Sequence, residues 1–288
     1  MEINVLLAQN LINSQFPKWA HLPIKPVAKS GWDNRTFHLG DEMTIRLPSK
    51  EEYAPQILKE CNWLPFLSKY LSIKITKPLA LGKPSIEYPW HWSVNSWIEG
   101  ETVSTENIPN LNKFAKELGE FLVEFQNIPS NGAPVAGSHN FHRGGELSVY
   151  NDEMSLALPK IKNITEQKTA ILLWNEAISS TWTSKPVWIH GDFAAGNILV
   201  NNGDLNAVID FGCMAIGDPS CDLAIAWNLF SGDDRAIFKQ SVGLDGSTWV
   251  RALGWTLWKT LCWPIKGTDS RRILLDIYDD YQVINSQK

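Results

Sequence analysis

Cysteine is scarce here and follows no pattern. The four, Cys61, Cys213, Cys221 and Cys262, form no CxxC pair and lie beside no histidine cluster at zinc spacing. That argues against a disulfide scaffold or a structural zinc site, and the thiols read as reduced ones in a cytoplasmic protein. Long apolar runs are missing too. The richest stretch, WVRALGWTLWKTLCWPI, is broken by Arg251 and Lys259 and stopped at Pro264, short of the roughly 18 apolar residues that suggest a membrane span. The opening MEINVLLAQNLINSQFPKW has no basic segment and no small-residue cleavage site, so no secretory signal is expected. Basic charge is not in excess either. A net charge of −5 argues against broad nucleic-acid binding, which needs a basic surface, and is mildly welcoming to a cationic ligand. There are no internal repeats, no low-complexity tract, no GxGxxG and no P-loop GxxxxGK[ST].

What is present is a chain of 288 residues, 44% hydrophobic and 20% charged, ordinary for a soluble globular protein of one large or two smaller domains. Ile3, Leu6, Leu7 and Leu11 fit one face of a first helix. Thr36–Leu39 and Met43–Leu47 flank Gly40-Asp41, a turn pair at hairpin spacing. Helical periodicity follows from Pro55 to about residue 70, with Pro65 expected to kink or end the helix. Strand-like runs come at 72–81 and 92–98. From about residue 111 the character changes: KFAKELGEFLVEFQNI puts Phe114, Leu118, Phe121, Leu122 and Phe125 on one helical stripe. Helices are expected at 165–180, 219–231, 233–241, 247–262 and 269–284, with a strand cluster at 186–211 between them. The class is therefore α+β: a small β-rich lobe, 1–98, and a larger α-helical lobe, 99–288. A cleft between lobes is a favoured place for a ligand.

The chemistry gathers in IHGDFAAGNILVNNGDLNAVIDFG. Asp, Gly and Asn are poor strand formers, yet they stand between strand-like runs. Asn202-Gly203 between apolar segments is a strong signal for a type I′ hairpin, which needs positive φ at both central residues. Such a hairpin folds Asp210 back toward Asn197, just after Asp192 leaves the preceding strand. Two carboxylates and an amide oxygen gathered there are hard donors suited to Mg²⁺. Asp192 is either one of those ligands or the group that accepts a proton from a hydroxyl nucleophile.

Asp192, Asn197 and, thirteen residues on, Asp210-Phe211-Gly212 resemble the catalytic loop and metal-binding DFG of the protein-kinase-like fold. His190-Gly191-Asp192 is similar to the aminoglycoside and macrolide phosphotransferase branch. So are Gly217–Leu223, GWDN at 31–34, Ile45-Arg46-Leu47-Pro48 and SWIEGE. The resemblance implies a two-lobed kinase with Asp192 as base, Asn197 and Asp210 on Mg²⁺, and His190 bracing the loop. It also implies Arg46 on the phosphates of ATP or GTP, paired with Glu60, and Ser96, Trp97 and Ile98 as the hinge that receives the purine. An arginine replaces the usual lysine; it is permanently charged and binds phosphate bidentately. SGWDNRTF carries one glycine where protein kinases carry three, so the phosphate-covering loop is assigned by position, with Arg35 a candidate contributor there.

Plainer roles fit several residues. Asp218 before Pro219 has the look of a helix N-cap, and Asp222 of a structural carboxylate. His142-Arg143-Gly144-Gly145 reads as a loop. Trp249, Trp255, Trp258 and Trp263 read as core. Asp276, Asp279 and Asp280 share a helix face that is either solvated or meets the amines of a cationic substrate. The expected activity is transfer of the γ-phosphoryl of ATP or GTP to a hydroxyl of a small molecule, an aminoglycoside-like antibiotic first, with no nucleic-acid or membrane partner. A sugar, choline-like or amino-alcohol acceptor is the alternative. A protein kinase fits less well, because Gly191 replaces the activation-loop arginine and no APE-like segment follows. A non-catalytic nucleotide binder would have no need of Asp192.

Overall fold

The computed structural model describes residues 2–28, 31–264 and 269–286. In chain order its elements begin with α1 (Val5–Gln15), β1 (Ile24–Pro26), β2 (Asn34–Leu39), β3 (Met43–Pro48) and α2 (Ala54–Leu67). Then come β4 (Lys74–Ile75), β5 (Pro78–Gly82), β6 (Trp92–Ser96), β7 (Glu101–Thr102) and α3 (Leu111–Gln126). They continue with α4 (Asn151–Ala157), α5 (Ile164–Ser179), β8 (Val187–Ile189), β9 (Ile198–Asn201) and β10 (Asp204–Val208). The chain ends with β11 (Ala215–Gly217), α6 (Ile225–Asn228), α7 (Gly232–Val242), α8 (Gly246–Cys262) and α9 (Ser270–Ser286). Two compact units form: Met1–Glu101 with Asn206–Gly212, and Thr102–Leu205 with Cys213–Lys288.

The first unit is built on an antiparallel sheet of order β1-β2-β3-β6-β5. Gly40, at φ +62°, lets the chain reverse so that Leu39 faces Met43 in the β2–β3 hairpin. Alternation then sends Ile45 and Leu47 into the core with Phe37, Trp92 and α1, while Arg46, between them on β3, faces the other way. The segment 206–212 belongs to this unit because β10 runs parallel to β4, Ala207 opposite Lys74 and Val208 opposite Ile75. Asn4 caps α1, its side chain accepting from the Leu7 amide at 3.0 Å. The helix therefore buries Leu7, Ala8, Leu11 and Ile12 and leaves Leu6 exposed, which corrects the stripe expected from sequence. Pro65 lies in the last turn of α2, which ends two residues later.

In the second unit α3 buries the expected Phe114, Leu118, Phe121, Leu122 and Phe125. It packs on α7, where a Cβ at Gly119 would lie 2.6 Å from that of Ser241. Most of α8 is buried, Trp249, Trp255 and Trp258 included; Trp263, just past its end, is exposed. On α9 the acidic face is largely engaged within the unit. Asp276 pairs with Arg235 and with Arg272 (2.9 Å), and Asp280 with Lys239 (3.3 Å) and Arg235 (3.6 Å); Asp279 is exposed. No helix among the described residues is long and apolar enough to cross a membrane.

Candidate active site

Functional side chains gather in two groups, one in each unit. In the first, β3 presents Arg46 to α2, and Nη1 donates to both Glu60 oxygens at 2.9 Å. Nη2 donates to Asp210 Oδ1 at 2.6 Å. Burial alone would lower the guanidinium, but the two carboxylates outweigh it and hold it protonated well above its ordinary value. Burial raises the Glu60 carboxyl, with Arg46 opposing. Asp210 follows β10 in the left-handed region, φ +64°, which costs a non-glycine residue about 1 kcal/mol or more and aims its carboxylate at Arg46. Arg46, Glu60 and Asp210 thus form one cluster.

Ser96 ends β6 of the same sheet, and Trp97 and Ile98 follow it. The Ser96 amide donates to Lys77 (2.9 Å) and the Trp97 amide to Glu42 (2.7 Å), while among the described residues the Ile98 amide makes no such backbone bond. The Trp97 indole N–H donates to Glu99 at 2.9 Å, and the ring packs edge-on to His38 at 4.5 Å. On β2 Arg35 donates to the Gly31 carbonyl at 3.1 Å; Ser30, where the segment expected to cover phosphate begins, lies outside the described residues.

In the second unit β8 leads into His190-Gly191-Asp192. Asp222 clamps the loop: its two oxygens accept from the amides of His190 (2.7 Å) and Gly191 (2.8 Å). The buried His190 ring accepts the Asp192 amide on Nδ1 at 3.2 Å, so it braces the loop. Gly191 sits at φ +79°, and a Cβ there would lie 2.4 Å from the Cys213 carbonyl oxygen. No side chain fits, which accounts for glycine at this position. Asp192 emerges about half exposed. Asn197 Nδ2 donates to the Asp192 backbone carbonyl (2.9 Å) and to Asp192 Oδ2 (3.3 Å), which turns the Asn197 amide oxygen away from Asp192. Beyond Asn197, Asn202 (φ +53°) and Gly203 (φ +85°) form the turn joining β9 to β10, with the positive angles a type I′ turn requires.

Lys259 is the residue that sequence reasoning passed over. Its Nζ lies 3.2 Å from Asp192 Oδ1, and its side chain is only 16% exposed. Burial works to raise the Asp192 carboxyl, but Lys259, His190 and Arg143 outweigh it, so the group sits below its ordinary value and is ionised at neutral pH. Arg143 stacks 4.3 Å over the Trp258 ring. The signal available for Lys259 was a cation in a largely apolar helix whose one other charge is Arg251, since a buried charge needs a partner. Asp218 does cap, accepting from the Ser220 amide at 3.0 Å, and it also pairs with Arg251 at 2.6 Å.

Residues 24–255 match the family described as the phosphotransferase enzyme family. No curated protein sequence matches the chain. Among solved structures, the GDP and kanamycin complex of APH(2")-IIIa is similar at 19% identity and a TM-score of 0.74, over 98% of each chain. The GDP complex of wild-type aminoglycoside 2'-phosphotransferase-IIIa is similar at 18% and 0.75, over 98% of this chain and 100% of that one. Macrolide 2'-phosphotransferase MphH from Brachybacterium faecium, as apoenzyme, is similar at 15% and 0.60, over 88% and 87%. At these identities the likeness establishes the kinase-like fold.

Proposed function

The chain belongs to the phosphotransferase enzyme family, and from that premise we propose that it acts in the cytoplasm, moving the γ-phosphoryl of ATP or GTP to a hydroxyl of an aminoglycoside-like antibiotic. The observation that carries this reading is the setting of Asp192: half exposed, and hydrogen-bonded on each oxygen within a clamped loop. Phosphoryl transfer asks a protein mainly for in-line positioning and charge neutralisation, so an oriented carboxylate beside the nucleophile is what it requires. The similar structure holding GDP and kanamycin supports the choice of nucleotide and acceptor class.

In this reading Asp192 orients the acceptor hydroxyl and takes its proton. Arg46 holds phosphate oxygens, and Glu60 keeps its guanidinium in place. The backbone at Ser96–Ile98 receives the purine, with the Ile98 amide as the donor available for it. Each of the two groups offers an oxygen of the hard kind that Mg²⁺ takes: Asn197 has its amide oxygen turned away from Asp192, and Asp210 has a second carboxylate oxygen beyond the one on Arg46. Mg²⁺, when bound, would neutralise the phosphate oxygens.

One observation favours a second acceptor class, a neutral metabolite alcohol. Asp276 and Asp280, the carboxylates best suited to amines, are already ion-paired to Arg235, Lys239 and Arg272.

The test is a thermal melt with and without Mg·ATP or Mg·GTP, followed by ADP or GDP release across aminoglycosides, macrolides and metabolic alcohols. Nucleotide should raise the melting temperature, and one acceptor class should raise release. Asp192→Ala should abolish turnover while nucleotide still binds; full activity in that variant would sink the mechanism.

A further inference from the structure

We propose that Lys259 is the positioning residue of the phosphoryl-transfer base: its ammonium pins one oxygen of Asp192 while Asn197 holds the other, so the carboxylate meets the acceptor hydroxyl in a single orientation. This rests on the reading of Asp192 as base. The plain role for a lysine in the last turn of a helix is a solvated cation near the C-terminal carbonyls. Lys259 departs from it, with its side chain 16% exposed and its Nζ 3.2 Å from Asp192 Oδ1.

Packing places it there. The neighbouring Trp258 is buried, donates its indole N–H to Glu153 at 3.0 Å, and packs at a tilt against Tyr150 with ring centroids 4.2 Å apart. The helix end is therefore held, and the ammonium is delivered from a rigid element. The second torsion of an aspartate is broad and weakly preferred, so a carboxylate with one partner can rotate about it. Donors on separate oxygens, Lys259 on Oδ1 and Asn197 on Oδ2, fix the plane.

Orientation matters because of the step itself. The acceptor oxygen bonds to the γ-phosphorus as the bond from that phosphorus to the β–γ bridging oxygen breaks, and the electron pair leaves on the nucleoside diphosphate. The acceptor's proton passes to Asp192. Misplacing a positioned group by about 1 Å can cost on the order of 100-fold in rate. Removing the lysine leaves behind only the Asp192 carboxylate, which is half exposed and can be solvated, so the fold survives the substitution.

The experiment compares Lys259→Met, Lys259→Arg, Asp192→Ala and the Lys259→Met/Asp192→Ala pair in the full chain. It measures hydrolysis of Mg·ATP and Mg·GTP with water as acceptor, and transfer to kanamycin. Lys259→Met should lower kcat by roughly 10–100-fold, leave the nucleotide KM unchanged and melt as the parent does. Lys259→Arg should recover much of the rate, and the double variant should be no slower than Asp192→Ala. Parental kcat in Lys259→Met would overturn the proposal, and a higher kcat would mean that the lysine blocks the base. Losses that multiply in the double variant would overturn it as well, since the two residues would then act independently. An inactive Asp192→Ala beside a fully active Lys259→Met rejects this inference alone, whereas a fully active Asp192→Ala rejects the base itself.

Discussion

Removing Arg46 should cost more stability than removing its partner, and removing both should cost least. Glu60 has 3% of its side chain exposed, Arg46 10% and Asp210 39%, so the three charges differ in what water can do for them. Arg46→Met fills a similar volume but strands Glu60 as a buried, unpaired carboxylate. Breaking such a pair costs about 3–5 kcal/mol, which at about 2–4 °C per kcal/mol lowers the melting temperature by roughly 6–20 °C. Glu60→Gln is milder: Arg46 keeps Asp210 at 2.6 Å, and the amide oxygen still accepts one bond. Its cost is the charged part of one hydrogen bond, about 1.5–3 kcal/mol. In Arg46→Met/Glu60→Met both buried charges are gone, Asp210 rehydrates, and apolar replacement of a buried pair is often close to neutral.

The order expected from thermal and urea unfolding is therefore Arg46→Met worst, Glu60→Gln intermediate and the double variant mildest. Burial already raises the Glu60 carboxyl, and without Arg46 it titrates higher still. An acid raised on folding contributes stability that is present below its unfolded pKa and is lost as pH rises through the folded one. The Arg46→Met deficit should thus be small below the ordinary carboxylate value of 4.5 and grow toward neutral pH. A double variant as unstable as Arg46→Met, or a deficit independent of pH, would refute the argument from buried charge.

What could be read from the sequence was local. The stripe of α3 was legible because its apolar residues recur at helical period on an otherwise polar helix. The Asn202-Gly203 turn was legible because positive φ restricts residue choice, and the Asp218 cap because its partner lies two residues on. Helix α8 is buried nearly all round, so its pattern names no inward face, and the partner of Lys259 lies 67 residues away. Asp222 reaches back 31 and 32 residues to the loop it clamps, and no local pattern announces that. In α1, Leu6 and Leu7 are equally apolar neighbours; the cap at Asn4 and the packing of the sheet decide which is buried. Strand β11 is too short to carry a period, and it exists through pairing with β8. The Arg46–Glu60 pair came from resemblance alone, since a strand arginine and a helix glutamate 14 residues apart carry no spacing rule.

Other outcomes follow from single groups. Asp245→Ala should destabilise the chain by about 1 kcal/mol in urea, because its carboxylate caps α8 by accepting from the Ser247 and Thr248 amides at 2.8 and 3.0 Å. Partial burial works to raise that carboxyl, but the bonds from Ser247 and Thr248 hold it down to about 2, so the cap's contribution should be intact above the ordinary 3.8 and vanish as pH falls through 2. Asp222→Asn should lower kcat with little effect on nucleotide KM, because an amide supplies one acceptor where the clamp uses two, on His190 and Gly191. Gly191→Ala tests the same loop from the other side. The left-handed backbone, φ +79°, costs an alanine about 1–2 kcal/mol. The new Cβ, 2.4 Å from the Cys213 carbonyl oxygen, meets backbone that has no far end to swing away. The loop must therefore shift, and because Asp192 is the next residue, turnover should fall further than the melting temperature does. A Gly191→Ala variant with parental kcat would mean that the loop tolerates the shift and that its clamped geometry is not what orients the base.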